Sequence, residues 1–448
     1  MRRVPLAAEG QSDSVGLAPY DGSVVKNRAT EKQKFSVVEI CAGAGGQSLG
    51  LHKAGFVHKL AVEIDETAAD TLRQNLGAPV VVGDVANPEV WNPADHADVT
   101  LFAGGVPCPP FSAAGKQLGT SDERDLFAWA IEQIPVIRPK AVMLENVRGL
   151  AAPRFAAYRQ RVLDRLDELG FMGEWKLLHA ADFGVPQLRP RFVLVALPET
   201  EMEYFRWPDT DANERLMVGD ALYELMASGG WKHASTWRAM ANDIGPTLVG
   251  GSKKHGGADL GPTRAKQAWA KLGVDGRGIA DTVPGADAPL PTDVMPRLTI
   301  EMAARIQGWK EEDAYVFSGR KTSQYRQIGN AFPPPVARAI GESISAALRH
   351  EGEPRTDLAG IAQLHDPVYR ALSRSARPLS LAELVEAYNE GSETAVQQRL
   401  AALQRDFELE VVNDGDTPRY RLGEFKGFTG QADHWRHEVV ARYENRVS

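Results

Sequence analysis

Cysteine is nearly absent from this 448-residue chain, which carries only Cys41 and Cys108. Two thiols cannot build a disulfide framework, and a reducing cytoplasm suits such a composition. There is no Cys/His cluster at zinc-ligand spacing, so no metal is expected. No apolar run reaches membrane-spanning length, and the N-terminus lacks the apolar core of a signal peptide. A cytoplasmic protein with no membrane partner is therefore expected. An excess of positive charge is missing as well, since the net charge is −8. That sum alone argues mildly against a nucleic-acid partner, but the distribution of charge matters more. Between Trp231 and Arg277 the cations are Lys232, Arg238, Lys253, Lys254, Arg264, Lys266, Lys271 and Arg277, against Asp243, Asp259 and Asp275. A locally basic segment in an acidic chain suits a phosphate-facing surface, although charge runs are more often solvated faces.

What is present is an ordinary globular composition, 43% hydrophobic and 25% charged, long enough for about two or three domains. Residues 1–34 are rich in Gly, Ser, Ala and charge without periodicity, and read as a mobile tail. From Phe35 short apolar strands alternate with amphipathic helices. Strands are expected at Ser36–Ile40, Lys59–Val62, Val80–Val82, Val99–Phe102, Ala141–Leu144 and Phe192–Ala196; helices at Gln47–Lys53, Glu66–Leu76, Asp125–Ile134 and Phe155–Leu169. Strands separated by helices of this length imply an α/β, mostly parallel, doubly wound sheet over residues 35–198. Residues 199–296 are glycine-rich and without clear alternation, which suggests an inserted, loop-built domain. Regular patterning returns over 297–349 with helices Thr299–Gln307 and Pro335–Leu348. Residues 350–448 form an extension in which Ser380 and Glu383 make a capping box and Ser392 opens a second helix. Asn413-Asp414-Gly415 then turns a hairpin. Two helices and a hairpin resemble a winged-helix unit, suited to DNA binding or to protein contacts.

Three strand ends read as a nucleoside site. Gly43, Gly45 and Gly46 follow the first strand and precede a helix, so a ligand can approach the backbone with a helix N-terminus behind it. The spacing is not that of dinucleotide sites, because Ser48 occupies the last glycine position. Glu63, in Val62-Glu63-Ile64-Asp65, can accept hydrogen bonds from both ribose hydroxyls. Asp84, in Gly83-Asp84-Val85, can read an adenine edge.

The other informative segment is Gly104-Gly105-Val106-Pro107-Cys108-Pro109-Pro110-Phe111-Ser112. A lone cysteine is ordinarily a packed hydrophobe. Here prolines and glycines fix a thiol at the end of a buried strand, where an α/β enzyme places a nucleophile.

Pro107-Cys108-Pro109 resembles the catalytic loop of the cytosine-5 DNA methyltransferases, and other elements follow in that family's order. They are Glu39-Ile40-Cys41-Ala42-Gly43-Ala44-Gly45-Gly46, Glu145-Asn146-Val147, Gln187-Leu188-Arg189-Pro190-Arg191, Arg297-Leu298-Thr299 with Gln307-Gly308-Trp309, and Gly329-Asn330-Ala331-Phe332-Pro333-Pro334. The resemblance runs from about Phe35 to Gly341. It implies a Rossmann-like S-adenosylmethionine-dependent methyltransferase domain. Cys41, Gly43, Gly45, Gly46, Glu63, Ile64, Asp84, Val85, Pro107, Asn330 and Ala331 would hold the cofactor. The family usually carries an aromatic residue where Cys41 stands, so Cys41 is expected to pack there and not to act as a second nucleophile.

The resemblance also assigns the chemistry. Cys108 would attack C6 of cytosine, because C5 alone is too weak a nucleophile to take a methyl group. Glu145 would protonate N3, Arg191 would reach O2, and Arg189 would support the loop or phosphates. A base inside the stack is unreachable, so it must be flipped out. Lys116, Lys253, Lys254, Arg264 and Lys266 are expected to contact double-stranded DNA, with residues 199–296 reading the sequence. The implied activity is that of a bacterial modification enzyme protecting host DNA, with a restriction endonuclease acting on the same site as a partner. An RNA cytosine-5 methyltransferase and a non-catalytic DNA-binding homologue are the alternatives.

Overall fold

The computed structural model describes residues 35–107, 126–210, 215–250, 258–356, 365–388, 392–414 and 417–425. Residues 1–34, expected to be a tail, and Cys108, Lys116, Lys253 and Lys254 lie outside the described residues.

A seven-stranded sheet forms the centre, in the order β3-β2-β1-β4-β5-β7-β6. Its strands are β1 (Phe35–Ile40), β2 (Phe56–Glu63), β3 (Val80–Val82), β4 (Leu101–Gly104), β5 (Ala141–Val147), β6 (Met172–His179) and β7 (Pro190–Leu197). The first five run parallel, and β7 pairs antiparallel with both β5 and β6. Central strands such as Val37-Val38-Glu39-Ile40 are apolar on both faces because helices cover both. One face buries Val38, Ile40, Phe102, Val142 and Leu144 beneath α3 (Leu126–Glu132), α4 (Ile134–Ile137) and α5 (Ala156–Glu168). The other buries Val37, Leu101, Ala103, Met143 and Val195 beneath α1 (Gly46–Lys53) and α12 (Pro334–Ala347). Helix α2 (Glu66–Leu76) starts at Asp65, whose carboxylate accepts from the Thr67 and Ala68 N–H groups.

Strand β6 was not expected from the sequence. Met172-Gly173-Glu174-Trp175-Lys176 mixes polar residues into an edge strand, and only Trp175 and Leu178 are buried. The helix expected over Asp125–Ile134 divides at Gln133 into α3 and α4.

Residues 199–296 are also more regular than their sequence suggests. They hold α6 (Glu199–Met202), α7 (Val218–Ala227), α8 (Ala234–Met240) and α9 (Thr263–Lys271). These helices are short and separated by Gly and Pro, so periodicity alone does not show them. Their core is built on Trp231, Trp237 and Trp269, with the Trp237 indole donating to the Gly273 carbonyl at 3.0 Å. The same core continues into α10 (Ile300–Gln307) and α11 (Lys321–Asn330) through Met302, Ile306, Tyr325 and Ile328. Thr299 caps α10 by accepting from the Met302 N–H at 3.2 Å.

Beyond residue 365 come α13 (Pro367–Arg374), β8 (Leu379–Ser380), α14 (Leu381–Tyr388), α15 (Glu393–Asp406), β9 (Phe407–Asp414) and β10 (Thr417–Phe425). The strands make a small sheet in the order β8-β10-β9. The capping box forms as expected, with Ser380 N–H donating to Glu383 at 2.8 Å and Glu383 N–H to the Ser380 hydroxyl at 3.3 Å. Val368, Leu384, Val396, Leu403 and Phe407 join the core cluster that includes α5. No helix among the described residues is long and apolar enough to cross a membrane.

Helices α1 and α12 meet through glycine. A Cβ at Gly50 would stand 2.4 Å from the Pro334 carbonyl oxygen and 2.6 Å from the Ala337 Cβ. Backbone cannot yield as a side-chain tip does. Gly50→Ala is expected to cost about 1–3 kcal/mol, seen as a lower urea midpoint at unchanged slope.

Candidate active site

The strand order reverses between β1 and β4, and an open parallel sheet binds ligands at the carboxyl ends beside such a reversal. A cavity of about 410 Å³ lies there. Its walls come from the ends of β1 (Cys41, Gly43), β2 (Glu63, Ile64), β3 (Asp84, Val85), β4 (Gly105, Pro107) and β5 (Glu145). The chain's return closes it with Arg326, Gln327, Asn330, Ala331 and Phe332.

Most expected cofactor residues are thus gathered in one place. Glu63 is buried, and its carboxylate accepts from the Gly43 N–H at 2.7 Å and the Asp65 N–H at 2.9 Å. These bonds lock the glycine turn to the second strand. Burial pushes the Glu63 carboxyl up from its ordinary range, against the pull of those two N–H groups. Asp84 is buried and accepts from the Ala86 N–H at 3.0 Å. Ile64 is 52% exposed, an apolar side chain left at the cavity wall. Cys41 lines the cavity in a left-handed conformation, φ 50°, a backbone state that costs a non-glycine residue energy and clusters at functional sites.

Gly45 and Gly46 are placed differently. Neither lines the cavity. A Cβ at Gly45 would meet the Tyr315 hydroxyl at 2.2 Å, and one at Gly46 the Phe332 carbonyl at 2.3 Å. They are glycines because Tyr315 and the returning chain press against the turn from behind. Tyr315 donates to the Ala44 carbonyl at 2.7 Å.

At the other end, Glu145 pairs with Arg191, Nε to Oε1 at 2.6 Å. The two stand on antiparallel neighbours, where Glu145 faces Val193 and Val147 faces Arg191. Burial raises the Glu145 carboxyl above its usual range, and the charges on Arg191 and Arg189 pull it part of the way back. Its Oε2 lies 3.4 Å from where a Gly105 Cβ would be, so Gly105 leaves room beside the carboxyl. The Asn146 side chain donates to the Val106 carbonyl at 2.9 Å and tethers the segment that follows β4 to the end of β5.

Arg189 does not reach the cavity. It is 1% exposed and donates to three carbonyls: Leu248 at 2.9 Å, Gly329 at 2.9 Å and Ala331 at 2.6 Å. Gln187 completes this seam. Its amide donates to the Ile306 carbonyl at 2.9 Å and accepts from the Leu248 N–H at 3.0 Å. Gln307, bonded to Gln187, donates to the Ala331 carbonyl at 2.5 Å.

Of the described DNA-facing candidates, Arg264 is exposed at the start of α9, whereas Lys266 is paired with Asp259 at 2.7 Å. Arg238 and Arg277 are likewise paired, with Asp220 and Asp275. Arg297 joins Asp275 at 2.9 Å. Sequence reasoning missed Glu39, Gln47, Asp65, Arg326, Gln327 and Phe332 in the cavity wall. The four on or beside motifs had a signal in their spacing; Arg326 and Gln327 had only their place one helical turn before Asn330. Among the described residues no group of His, Cys, Asp and Glu is arranged to hold a metal.

A mostly parallel sheet with Glu63 and Asp84 at successive strand ends, and Glu145 as a third acid lining the same switch-point cavity, has the layout of a Rossmann-like, nucleoside-binding fold. The comparisons narrow this. Residues 35–346 match the model of the C-5 cytosine-specific DNA methylase family. Type II methyltransferase M.NaeI of Lentzea aerocolonigenes is 57% identical over 421 residues, 93% of this chain and 100% of that protein. M.NgoMIV of Neisseria gonorrhoeae is 46% identical over 322 residues, 71% of this chain and 99% of that protein. M.Eco47II of Escherichia coli is 33% identical over 335 residues, 69% of this chain and 78% of that protein. The chain belongs to the C-5 cytosine-specific DNA methylase family, and its activity is that of a DNA cytosine-5 methyltransferase.

Replacing Arg189 by Met leaves three buried carbonyls short of a donor. The expected cost is about 2–5 kcal/mol, measured by urea unfolding, with earlier proteolysis between residues 215 and 250.

Proposed function

We propose that the protein methylates C5 of one cytosine within a specific double-stranded DNA sequence, with S-adenosylmethionine bound in the switch-point cavity. In this reading it is the modification partner of a type II restriction system in a bacterial cytoplasm, with an endonuclease acting on the same site. The observation that carries it is that Glu63 and Asp84 share a single cavity with Glu145, at the strand end from which the Cys108 loop departs. The residues present fit the cofactor: Glu63 for the ribose hydroxyls, Asp84 and Val85 for the adenine edge, Ile64 against its face, with Asn330 and Ala331 closing the far wall.

When bound, the cofactor supplies an electrophilic methyl group on a sulfonium. The protein's part is to make C5 nucleophilic. The Cys108 thiolate adds to C6, and Glu145 delivers a proton to N3 as charge builds on the ring. Arg191, held against Glu145, reaches O2. Once C5 carries the methyl group, its proton passes to water, the C6–S bond breaks to release the thiolate, and N3 returns its proton to Glu145, which restores the ring. A raised Glu145 keeps its proton to higher pH than an exposed glutamate does, and can accept from the exocyclic amine. Thymine presents a carbonyl at that position and is rejected.

Residues 35–198 and 297–349 form the catalytic domain in this reading, with 1–34 a tail and 199–296 the target-recognition domain. Arg264, with Lys116, Lys253 and Lys254 outside the described residues, contacts DNA; the Asp259 pair makes Lys266 the weaker contact. Residues 350–448 form a winged-helix-like extension, supported by the order of α13, β8, α14, α15, β9 and β10. A docking role is favoured over DNA reading, because α15, the helix such units place in a groove, turns Arg399 onto the Pro153 carbonyl at 3.2 Å. M.NaeI aligns over 93% of this chain and must share part of this extension, whereas the shorter M.NgoMIV aligns over 71%.

Tritiated methyl transfer from S-adenosylmethionine to duplex DNA, with tRNA in parallel, tests the reading. Label on DNA that is absent with Cys108→Ser is expected; label on tRNA alone would overturn it. Glu145→Gln is expected to slow turnover about 10²-fold or more. Because burial raises the Glu145 pKa, the wild-type rate should fall as pH rises through that raised value. The Gln variant should lack this alkaline limb.

A further inference from the structure

Among the described cations of residues 199–296, Arg277 alone is gripped by both oxygens of one carboxylate. Its Nε donates to Asp275 Oδ1 at 2.8 Å and its Nη2 to Oδ2 at 3.2 Å, which takes the side edge of the guanidinium. The end edge, formed by Nη1 and the second N–H of Nη2, is left over, on a side chain that is 77% exposed. A lysine such as Lys266 commits its one point charge to its partner, whereas a guanidinium held this way keeps a second pair of donors. Arg297 also donates to Asp275, Nε to Oδ2 at 2.9 Å. One carboxylate therefore serves two guanidiniums, and the trio keeps a net positive charge.

The turn that carries Arg277 is rigid. On either side of it, the Asp275 N–H donates to the Pro296 carbonyl at 2.9 Å and the Ala280 N–H to the Leu298 carbonyl at 2.8 Å. Val274 and Ile279 are buried beneath it. The Leu260 N–H donates to the Gly276 carbonyl at 3.0 Å. A Cβ at Gly276 would stand 3.2 Å from the Lys266 Cγ, so the turn sits against α9, which also carries the exposed Arg264. Lys321 opens α11 and donates to the Ile279 carbonyl at 3.0 Å, while Asn330 ends α11 in the cavity wall. The turn is thus about one ten-residue helix, roughly 15 Å, from that wall. Steps along duplex DNA are about 3.4 Å, so base pairs flanking a flipped cytosine fall within this distance.

Two donors side by side on a planar edge match guanine, whose O6 and N7 acceptors lie side by side in the major groove. Fixing the arginine rotamer in advance lowers the ordering cost of that contact. We propose that Arg277 reads a guanine of the target sequence from the major groove, with Asp275 as the residue that positions it. This rests on residues 199–296 being the recognition domain, and adds a named reader and the base it reads.

Methyl transfer by the full chain tests it, on duplexes whose target sequence is first mapped with randomised DNA. Each guanine of that sequence is then replaced in turn by 7-deazaguanine, which lacks the N7 acceptor. Arg277→Ala is expected to lower kcat/KM on the unmodified duplex about 10- to 100-fold. It should also abolish the 7-deazaguanine penalty at one position and leave the penalties at the others. Arg277→Lys keeps the charge without the fork, so it should lose the same penalty at an unchanged salt dependence. Asp275→Asn should reduce that penalty only in part. Survival of every penalty in Arg277→Ala would overturn the proposal. So would a uniform loss over all sequences with the salt slope lowered by about one, the mark of a phosphate contact. A lowered salt slope in Arg264→Ala beside an unaffected Arg277→Ala would overturn this inference alone. No change in either variant would remove the recognition-domain reading as well.

Discussion

A single buried guanidinium holds the site together. Arg189 gathers the carbonyls of Leu248, Gly329 and Ala331 from segments far apart in the chain. Burial works against its charge, and three carbonyl acceptors offset that cost. The consequence is geometric. The end of α11 is fixed against the glycine turn, so that Asn330 and Ala331 close a cavity whose other walls are strand ends. The same residue anchors Leu248, and with it the segment proposed to read DNA. The proposed recognition segment and the wall of the cavity are thus joined through one side chain two residues from Arg191.

Electrostatics then divides the cavity into two ends. Glu63 is held by N–H groups of its own turn, which fix it as an acceptor. Glu145 has an arginine partner in place of backbone donors. Burial raises both carboxyls, and Glu145 is the one proposed to hand a proton to the substrate and recover it. Its second oxygen lies 3.4 Å from where a Gly105 Cβ would stand.

The sheet was legible because parallel strands covered on both faces read as uninterrupted apolar runs, as in Val99–Ala103 and Ala141–Leu144. Strand β6 was not, since an edge strand with Glu174 and Lys176 carries no such run. The tryptophan-centred helices of residues 199–296 escaped for another reason. Their cohesion comes from Trp231, Trp237 and Trp269 meeting in space, which no local period announces. Within the site, Glu63, Asp84 and Glu145 were readable from their place at strand ends, whereas Asn330 was assigned only through the family's closing motif, because the helix over Lys321–Asn330 was not expected. Gly45 and Gly46 were assigned to the ligand, yet Tyr315 and Phe332 explain them; a glycine motif does not say which side the close approach comes from. Gln47 was passed over because a glutamine in a helix's first turn looks unremarkable until its burial is known.

The account turns on one covalent bond between Cys108 and the substrate ring. The most direct measurement is intact-mass analysis of the protein after incubation with S-adenosylmethionine and duplex DNA carrying 5-fluorocytosine at the methylated position. Fluorine at C5 cannot leave as a proton does, so the ring should stay bonded to the thiol. The account predicts a protein–DNA adduct that maps to Cys108 and is absent in Cys108→Ser. Full methylation of ordinary DNA without any adduct on the fluorinated duplex would contradict it.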